Sequence, residues 1–535
     1  MGIPSYFSYI VKNHSNIIKK LNILNTPVNN LYLDCNSIIY DAVHNIDFST
    51  LKTSDVDTII DSVCKKIDEY IALLKPDNCV YIAFDGVAPV AKLEQQRARR
   101  YKSLYQNKMM RSIYKNKHVD PWNTAAITPG TIFMKKLNDK IYSYYTTPEK
   151  YNVASIILSG SDQPGEGEHK LFQHIRNFPD QHCDQNTIIY GLDADLIMLS
   201  INHLPISNNI FLFRETPHFI KSLNSELEPN ESYLLDIPEL AKIITDDMNN
   251  NNDNQPEYQQ NRIYDYIFLC FFLGNDFMPH FPSVNIRTNG IAKMMNAYKA
   301  TVGSTNEVLT DGKKIYWKNV RKLVTFLAAN EEEYFKNEVK QRDRRAKYPM
   351  PSGTPEEQFK KFESIPVYER SVEKYINPFN PNWQERYYSS LFSEEDNEIN
   401  NICVNYLEGL EWTMKYYTIG CPNWRWCYKY DYPPIFSDLL RFIPYFETEF
   451  ISGNNVSKPV SELVQLCYVI PKQSLHLLPE KLYKNLSEQH SEWYDTECPF
   501  VWAFCRYFWE SHVKLPHIDI NELEKFIQEY IQEMK

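Results

Sequence analysis

The chain has 535 residues and a net charge of −11, a length that allows two to four domains or one composite body. No apolar run approaches the ~20 residues that span a bilayer, and the N-terminus lacks the layout of a signal peptide. Eleven cysteines without regular spacing are typical of reduced thiols in an intracellular protein. Composition therefore argues against a membrane protein and against a secreted disulfide scaffold.

The first 210 residues alternate apolar, strand-like runs with helical stretches. Strands are predicted in NNLYLDCNSIIY, where a turn follows the strand, and in NCVYIAFDG, NVASIILSG and NTIIYGLD, while TIIDSVCKKIDEYIALLK has helical spacing. Near-continuous apolar strands between helices predict an α/β fold with a parallel sheet. We expect a core over residues 1–300, a connection over 301–400 and a mostly helical, aromatic-rich region over 401–535.

Two later segments interrupt this pattern. Residues 246–261 are polar and of low complexity, which predicts a disordered surface insertion. Residues 341–382 carry prolines among charged residues, which predicts an irregular connection that wraps the core. The sequence closes on INELEKFIQEYIQEMK, which has the pattern of an amphipathic helix.

Seven acidic residues lie in apolar or glycine-flanked contexts where a solvated surface charge would be out of place. They are Asp34, Asp85, Glu166, Glu168, Asp193, Asp195 and Asp276. Gathered carboxylates are costly unless cations hold them together, and the carboxyl ends of parallel strands are where α/β sheets bind ligands. Any one of these acids taken alone is better explained as a turn or helix-cap residue. The whole set predicts a site for two Mg²⁺ or Mn²⁺ ions, the arrangement that activates water for phosphodiester hydrolysis.

The acids come partly in pairs with one residue between them. Glu166 and Glu168 stand in PGEGEH, and Asp193 and Asp195 stand in GLDADL. In an extended chain, alternate side chains point to the same side. We therefore expect each pair to reach a single metal centre.

A basic stretch follows Asp85 directly. Residues 92–117 contain many Lys and Arg residues and a single acid, Glu94. Helical spacing places four polar side chains on one face: Lys92, Gln96, Arg99 and Arg100. Such a face is usually only solvated, but arginine also binds phosphate oxygens in bidentate fashion. Its position beside a candidate metal ligand favours a phosphate site over general coating of nucleic acid.

Aromatic residues are concentrated in GLEWTMKYYTIGCPNWRWCYKYDYPPIFSDL, which contains Trp424 and Trp426. Aromatic faces stack on unpaired bases without reading sequence. A buried aromatic core is the alternative, and for most of these residues it is the better explanation.

Together these motifs resemble the Xrn-type 5′→3′ exoribonucleases, whose core is related to PIN-like and flap nucleases. The likeness begins at MGIPSYFSYI and continues through FDGVAPVAKLEQQRARRYKS, SGSDQPGEGEHKLFQHIR, YGLDADLIMLS and FLGNDFMPHFPS. It then runs through GLEWTMKYYTIGCPNWRWCYKYDYPP and YVIPKQSLHLLPEKLY to WESHVKLPHIDINEL. It covers most of the chain. The resemblance implies a PIN-like α/β core with a helical, aromatic-rich second region packed against it, narrowing the entrance for RNA.

The resemblance also implies roles for particular residues. The seven acids match the family's metal ligands, the four polar residues on the basic face match its 5′-monophosphate pocket, and Trp424 or Trp426 matches an aromatic that stacks on RNA. Tyr40 stands where the family usually has a histidine that stacks on a base. A tyrosine keeps the flat π-face that stacking needs.

The implied activity is processive, metal-dependent degradation of single-stranded RNA with a 5′-monophosphate, releasing 5′-mononucleotides. We expect a monomer that acts in RNA decay in the cytoplasm, with the nucleus as the alternative. The long C-terminal extensions of the large cytoplasmic members are expected to be absent, and the Asn-, Ile-, Tyr- and Lys-rich composition is typical of an AT-rich genome such as that of a protist or a large DNA virus. Two rival functions remain at this stage: a structure-specific DNA 5′ nuclease or flap endonuclease, and a catalytically dead RNA-binding scaffold.

Overall fold

The computed structural model describes residues 3, 5–21, 27–46, 56–115, 122–216, 220–222, 224–229, 231–249, 256–393, 398–451 and 457–534. None of the described helices is both long enough and apolar enough to cross a membrane.

The described helices divide between two parts of the chain. The first part contains α1 (Tyr6–Asn13), α2 (Asn36–Asn45), α3 (Val56–Leu74), α4 (Val90–Ile113), α5 (Ile132–Tyr144), α6 (Gly167–Asn177), α7 (Pro179–His182), α8 (Asp195–His203), α9 (Ile237–Met248), α10 (Pro256–Phe271) and α11 (Gly290–Ala300). The second contains α12 (Trp317–Ala346), α13 (Pro355–Glu363), α14 (Ile365–Tyr368), α15 (Ser371–Ile376), α16 (Trp383–Leu391), α17 (Ile399–Thr418), α18 (Phe436–Phe442), α19 (Glu462–Val469), α20 (Glu480–Gln489) and α21 (Ile520–Met534).

One mostly parallel sheet lies at the centre of the first part. Its strands are β1 (Ile18–Lys20), β2 (Asn30–Asp34), β3 (Cys79–Ala83), β4 (Ser155–Ser159), β5 (Asn186–Tyr190), β6 (Asn209–Glu215) and β7 (Ser232–Asp236), in the spatial order β1-β7-β6-β5-β2-β3-β4. Strands β4, β3, β2, β5 and β6 run parallel, whereas β7 is antiparallel to both of its neighbours. A small antiparallel ribbon of β8 (Phe500–Val501) and β9 (His512–Val513) lies in the second part. The predicted α/β fold and its four strands are confirmed.

The topology has a switch point between β2 and β5. From β2 the chain builds outward through β3 and β4, and it then returns to place β5 on the other side of β2. In open α/β sheets the crevice at such a point, beside the carboxyl ends of the strands, is where ligands bind. The carboxyl end of β2 is Asp34.

Both faces of the sheet are covered, which explains why its central strands are apolar throughout. Leu31 and Leu33 of β2 pack into the cluster formed with α2 and α3, while Tyr32 packs into the larger core on the other face. The turn expected after Asp34 is instead helix α2. Its residues Ile38 and Ile39 are buried, so the apolar run NSIIYDAV was a helix face that alternation alone does not separate from a strand end.

The helical second region packs directly on the core, as expected. Arg97 of α4 is buried and donates hydrogen bonds to the carbonyl oxygens of Trp493 (2.9 Å) and Pro516 (2.8 Å). The backbone N–H of Val90, the first residue of α4, donates to the carbonyl of Trp424 at 2.9 Å. Helix α4 is therefore held at its start and along its length by residues far away in sequence.

The expected disordered insertion at residues 246–261 is wrong for most of that segment. Helix α9 continues to Met248 and α10 begins at Pro256, and residues 250–255 lie outside the described residues. Met248 is fully buried, and the side-chain oxygen of Asn249 accepts a hydrogen bond from Arg262. Composition missed this because it ignores the helical register that buries Ile244 and Met248 together.

The irregular connection expected over residues 341–382 is also wrong. The segment is the end of α12 followed by the short helices α13, α14 and α15. Two of its prolines start helices: Pro355 follows Thr354, which forms a capping box with Glu357, and Pro366 lies in the first turn of α14. The first N–H groups of a helix have no partner within the helix, so a proline, which lacks an N–H, is tolerated at a helix start. The boundaries proposed at residues 300 and 400 stay a prediction.

A buried charge cluster joins these short helices to α12. Glu373 is 2% exposed and accepts hydrogen bonds from Arg342 at 2.6 and 2.9 Å and from Arg370 at 2.5 Å. Replacing Glu373 with Ala leaves the buried guanidinium of Arg342 without its carboxylate and that of Arg370 with only the exposed Asp343. We expect the free energy of unfolding to fall by about 3–5 kcal/mol, measured by urea denaturation.

The matched control is Glu480→Ala, which removes a fully exposed partner of Lys484 and should leave the urea midpoint nearly unchanged. A loss below about 1 kcal/mol for Glu373→Ala would show that water relieves the cluster.

Candidate active site

A cavity of about 920 Å³ opens at the switch point of the sheet. Its lining includes ten of the residues singled out from the sequence: Asp34, Tyr40, Asp85, Lys92, Gln96, Arg99, Arg100, Glu166, Glu168 and Asp193. Carboxylates at the strand ends thus share one space with the basic face of α4. The helical spacing that placed Lys92, Gln96, Arg99 and Arg100 together is confirmed.

The first two carboxylates are held by the elements that follow neighbouring strands. Asp34 ends β2, and Asp85 lies two residues beyond β3. One oxygen of Asp85 accepts from the Asn36 side chain at 2.5 Å, and the other accepts from the backbone N–H of Gly167 at 2.6 Å. Gly167 approaches so closely that a Cβ there would lie 2.5 Å from Oδ1 of Asp34.

The two spaced pairs of acids do not lie on extended chain, so that part of the argument is wrong. Glu166 is extended, but Glu168 stands in the first turn of α6. Asp195 is the first residue of α8, and Ala194 before it is already helical. Each pair brackets a helix N-terminus, where partial positive charge favours carboxylates. Asp276 lies in a loop after helix α10 and not at a strand end.

Lys92 is the cation at the centre of this cluster. Its ammonium lies 2.6 Å from Oε2 of Glu166 and 2.8 Å from Oδ2 of Asp276. Burial opposes the charged form, but Asp276 and Glu166 raise the pKa of Lys92 well above its usual value. In the same way, although burial acts against it, Lys92 lowers the pKa of Asp276 below its usual range.

The pKa values of three other carboxyl groups in the cluster, those of Asp34, Glu168 and Asp195, shift in the opposite direction. Burial, followed by repulsion from Asp85 and Asp193, raises the pKa of Asp34 well above its usual value. Burial and the charge of Asp276 raise the pKa of Asp195 to about 7, and burial with Asp195 raises that of Glu168. Crowded carboxylates in a dry site hold protons more tightly until a cation offsets their repulsion.

Unpaired oxygens in this cluster fit the presence of divalent cations. Asp34 Oδ1, Glu168 Oε2 and Asp195 Oδ1 are buried without any hydrogen-bond partner. Among the described residues, no three acidic, histidine or cysteine side chains form a complete cage for an ion as they stand. A partial set of carboxylates suits Mg²⁺, which keeps several water ligands and shares substrate phosphate oxygens.

The basic wall of the cavity has an unpaired donor of its own. Arg100 donates through Nη2 to Oγ1 of Thr128 at 2.6 Å, which fixes the guanidinium. Its Nη1 is buried and has no partner, and burial lowers the pKa of Arg100 to about 10. Arg99 beside it is exposed. A fixed guanidinium with a free donor can accept an anion through a charge-assisted hydrogen bond.

The aromatic residues divide between the cavity and the core. Tyr40 is half-buried and lines the cavity, whereas Trp424 and Trp426 are not among its described lining residues. Trp426 is 7% exposed and stacks on Trp412 with ring centroids 5.1 Å apart. Trp424 is half-buried, so it is the better candidate of the two for a contact with a base. Stacking on RNA stays a prediction for all three.

Several contacts were missed in the sequence. Asn36 orients Asp85, Tyr416 donates to Glu166 at 2.7 Å, and Trp122, Gln465 and Gln473 line the cavity. Asn36 could have been found, because a polar residue two positions after a strand-end aspartate is unusual in an apolar run. The others carried no local signal, since they reach the cavity only through the tertiary fold.

A mostly parallel sheet with carboxylates at its switch point and a basic helix beside them is the arrangement of a PIN-like nuclease core. The chain belongs to the XRN 5′-3′ exonuclease family: the family model for the XRN 5′-3′ exonuclease N-terminus matches residues 1–216, and that for the Xrn1 helical domain matches residues 257–364 and 356–535.

Named relatives agree with this membership. The chain is 26% identical to 5′-3′ exoribonuclease 1 of Saccharomyces cerevisiae, over 100% of this chain and 43% of that protein. It is also 26% identical to the 5′-3′ exoribonuclease 2 homolog of Drosophila melanogaster, over 100% of this chain and 71% of the relative. The match to 5′-3′ exoribonuclease 2 of Arabidopsis thaliana is 26% over 98% of this chain and 66% of the relative. The chain thus spans less than half of the yeast relative and about two thirds of the other two.

The close approach of Gly167 yields a test of the site. Gly167→Ala would place a methyl group 2.5 Å from Oδ1 of Asp34, so the carboxylate must shift. We expect the Mn²⁺-induced rise in melting temperature to shrink and the rate of RNA cleavage to fall about 100-fold, since a displacement of ~1 Å can cost that much.

Gly353→Ala is the control, because Gly353 is exposed and its Cβ would meet only the side chain of Glu357, at 3.4 Å. If Gly167→Ala kept the wild-type response to Mn²⁺ and the wild-type rate, Asp34 would not be part of the site.

Proposed function

We propose that this chain is a metal-dependent 5′→3′ exoribonuclease that degrades 5′-monophosphorylated single-stranded RNA to 5′-mononucleotides. The observation that supports the proposal is the shared cavity, in which acidic side chains and the basic face of α4 lie side by side. The names of the relatives add independent support.

The carboxylates would hold two Mg²⁺ or Mn²⁺ ions. Asp34, Glu168 and Asp195 would contribute the oxygens that have no other partner, together with Asp85, Glu166, Asp193 and Asp276. Such ions supply activation of a water molecule and stabilisation of the leaving oxygen. The protein itself fixes the carboxylates through Asn36, Gly167 and Tyr416, so they need little rearrangement during the reaction.

The basic wall would bind the 5′ end of the RNA. Lys92, Gln96, Arg99 and Arg100 line the cavity together, and Arg100 has a buried donor free for a phosphate oxygen. A phosphate held there would set the scissile bond at a fixed distance from the carboxylates. With the scissile bond at this fixed distance, one nucleotide would be removed at a time. RNA ends that carry a cap or a triphosphate would fit the pocket less well than a monophosphate.

The unpaired bases would stack on aromatic side chains. Tyr40 follows the strand that carries Asp34 and lines the cavity, and Trp122 lines it as well. Stacking is tolerant of sequence, which suits an enzyme that must accept every base in turn. Trp424 would contribute from the loop that touches the start of α4.

RNA decay in the cytoplasm by a monomer is the cellular role that we propose. Nuclear action is the alternative compartment. The composition would suit a protist or a large DNA virus.

The first test compares substrates and a metal-site variant. The wild-type protein should degrade 5′-monophosphate RNA faster than the same RNA with a 5′-hydroxyl or a cap, and it should leave a flapped DNA duplex intact. Asp195→Asn should lower the rate by more than about 100-fold while RNA binding persists, because a metal ligand is lost and the basic wall is not.

The exposed Asp184 supplies the control Asp184→Asn, which should behave like wild type. Preferred cleavage of the flapped DNA would establish the flap-endonuclease rival, and binding of RNA without cleavage would establish the scaffold.

The second test concerns recognition of the 5′ end. Arg100→Ala should reduce the preference for monophosphate over hydroxyl ends by roughly 10- to 150-fold, the range expected for one charge-assisted contact of ~1.5–3 kcal/mol. Lys108→Ala is the control, since Lys108 is exposed on the same helix and lies outside the cavity lining. Equal effects in both variants would mean that the helix attracts RNA only by general charge.

A further inference from the structure

One side chain of the helical second region reaches into the carboxylate cluster. The hydroxyl of Tyr416, in α17, donates to Oε1 of Glu166 at 2.7 Å. The other oxygen of Glu166 lies 2.6 Å from the ammonium of Lys92. Two donors on opposite oxygens prevent this carboxylate from rotating, and one of them comes from 250 residues further along the chain.

The ring of Tyr416 is itself immobilised by stacking. Its centroid lies 3.8 Å from that of the His169 ring in α6 and 4.8 Å from that of the Trp412 ring. Both rings stack on it with an angle of 27° between the ring planes. Trp412 stacks in turn on Trp426, and its Nε1 donates to the carbonyl of Asn423 at 2.8 Å. The stack therefore leads from the metal ligands to the loop that contains Trp424.

We propose that Tyr416 is a positioning residue that orients Glu166 for divalent-cation binding and so makes the metal site depend on the second region. This inference rests on the proposed function. Partners that orient a metal ligand commonly change metal affinity or activity by 10- to 100-fold when removed. Without the hydroxyl, Glu166 keeps only Lys92 as a fixed partner, and its free oxygen samples other orientations.

A purely structural role for the hydroxyl makes a different expectation. In that case the hydrogen bond only satisfies a buried donor, so its loss lowers stability and leaves metal affinity unchanged. Metal binding measured without RNA separates the two roles, because it does not depend on turnover.

The experiment uses Tyr416→Phe in the full chain, which keeps the stacked ring and removes one oxygen. Tyr406→Phe is the matched control: Tyr406 lies in the same helix, is fully buried, and donates to the backbone carbonyl of Pro279 at 3.3 Å. Mn²⁺ binding is measured by isothermal titration calorimetry, and the rate is measured against Mn²⁺ concentration.

We expect Tyr416→Phe to raise the dissociation constant for Mn²⁺ about 10- to 100-fold and to shift the half-maximal metal concentration equally, with the rate recovering at high metal. Metal-free binding of RNA should stay at the wild-type level, and Tyr406→Phe should match wild type in metal affinity. In a Glu166→Gln background, removing the Tyr416 hydroxyl should change Mn²⁺ affinity little further, because the residue acts through Glu166.

Unchanged Mn²⁺ affinity in Tyr416→Phe, with or without a fall in melting temperature, would overturn the proposal. An equal loss of affinity in both Glu166 backgrounds would also overturn it. Failure of the proposed function looks different, since the wild-type protein would then neither bind Mn²⁺ nor degrade RNA.

Discussion

Mutual repulsion among seven carboxyl groups is the constraint on which this structure depends. Three of the groups are offset by donors from two helices: Lys92 of α4 contacts Glu166 and Asp276, and Asn36 of α2 donates to Asp85. The oxygens that remain unpaired leave a place for cations. Because these donors come from separate helices, the repulsion ties the packing of the whole core to the chemistry at its centre.

The two regions of the chain are bound together at the same place. Helix α4 carries the basic face of the cavity, and its first N–H donates to the carbonyl of Trp424. Arg425, next to that residue, pairs with Glu524 of α21 at 2.9 and 3.1 Å. Many of the aromatic residues in the segment around Trp424, such as Trp412 and Trp426, are buried in the core. Their contribution is to hold helices in position.

The sequence predicts the parts of this site that follow from local patterns. Two local patterns predicted that these side chains share one site: apolar strands that end on Asp34 and near Asp85, and the helical spacing of Lys92 and Arg100. Contacts between distant segments could not be predicted from the sequence, because no residue near Tyr416 indicates that its side chain contacts Glu166. The sequence also led to a wrong prediction of disorder where tertiary burial determines the structure. Met248 lies in helix α9 and is fully buried, although the residues after it are polar.

The positions of the cavity-lining residues along the chain have a consequence for synthesis of the protein on the ribosome. Its wall is completed by Gln465, Gln473 and Ser474, although the carboxylates have all been made by residue 276. A chain still growing on the ribosome therefore carries the acidic cluster long before the enclosure exists. The enclosed cavity is therefore complete only after nearly nine tenths of the chain has been made.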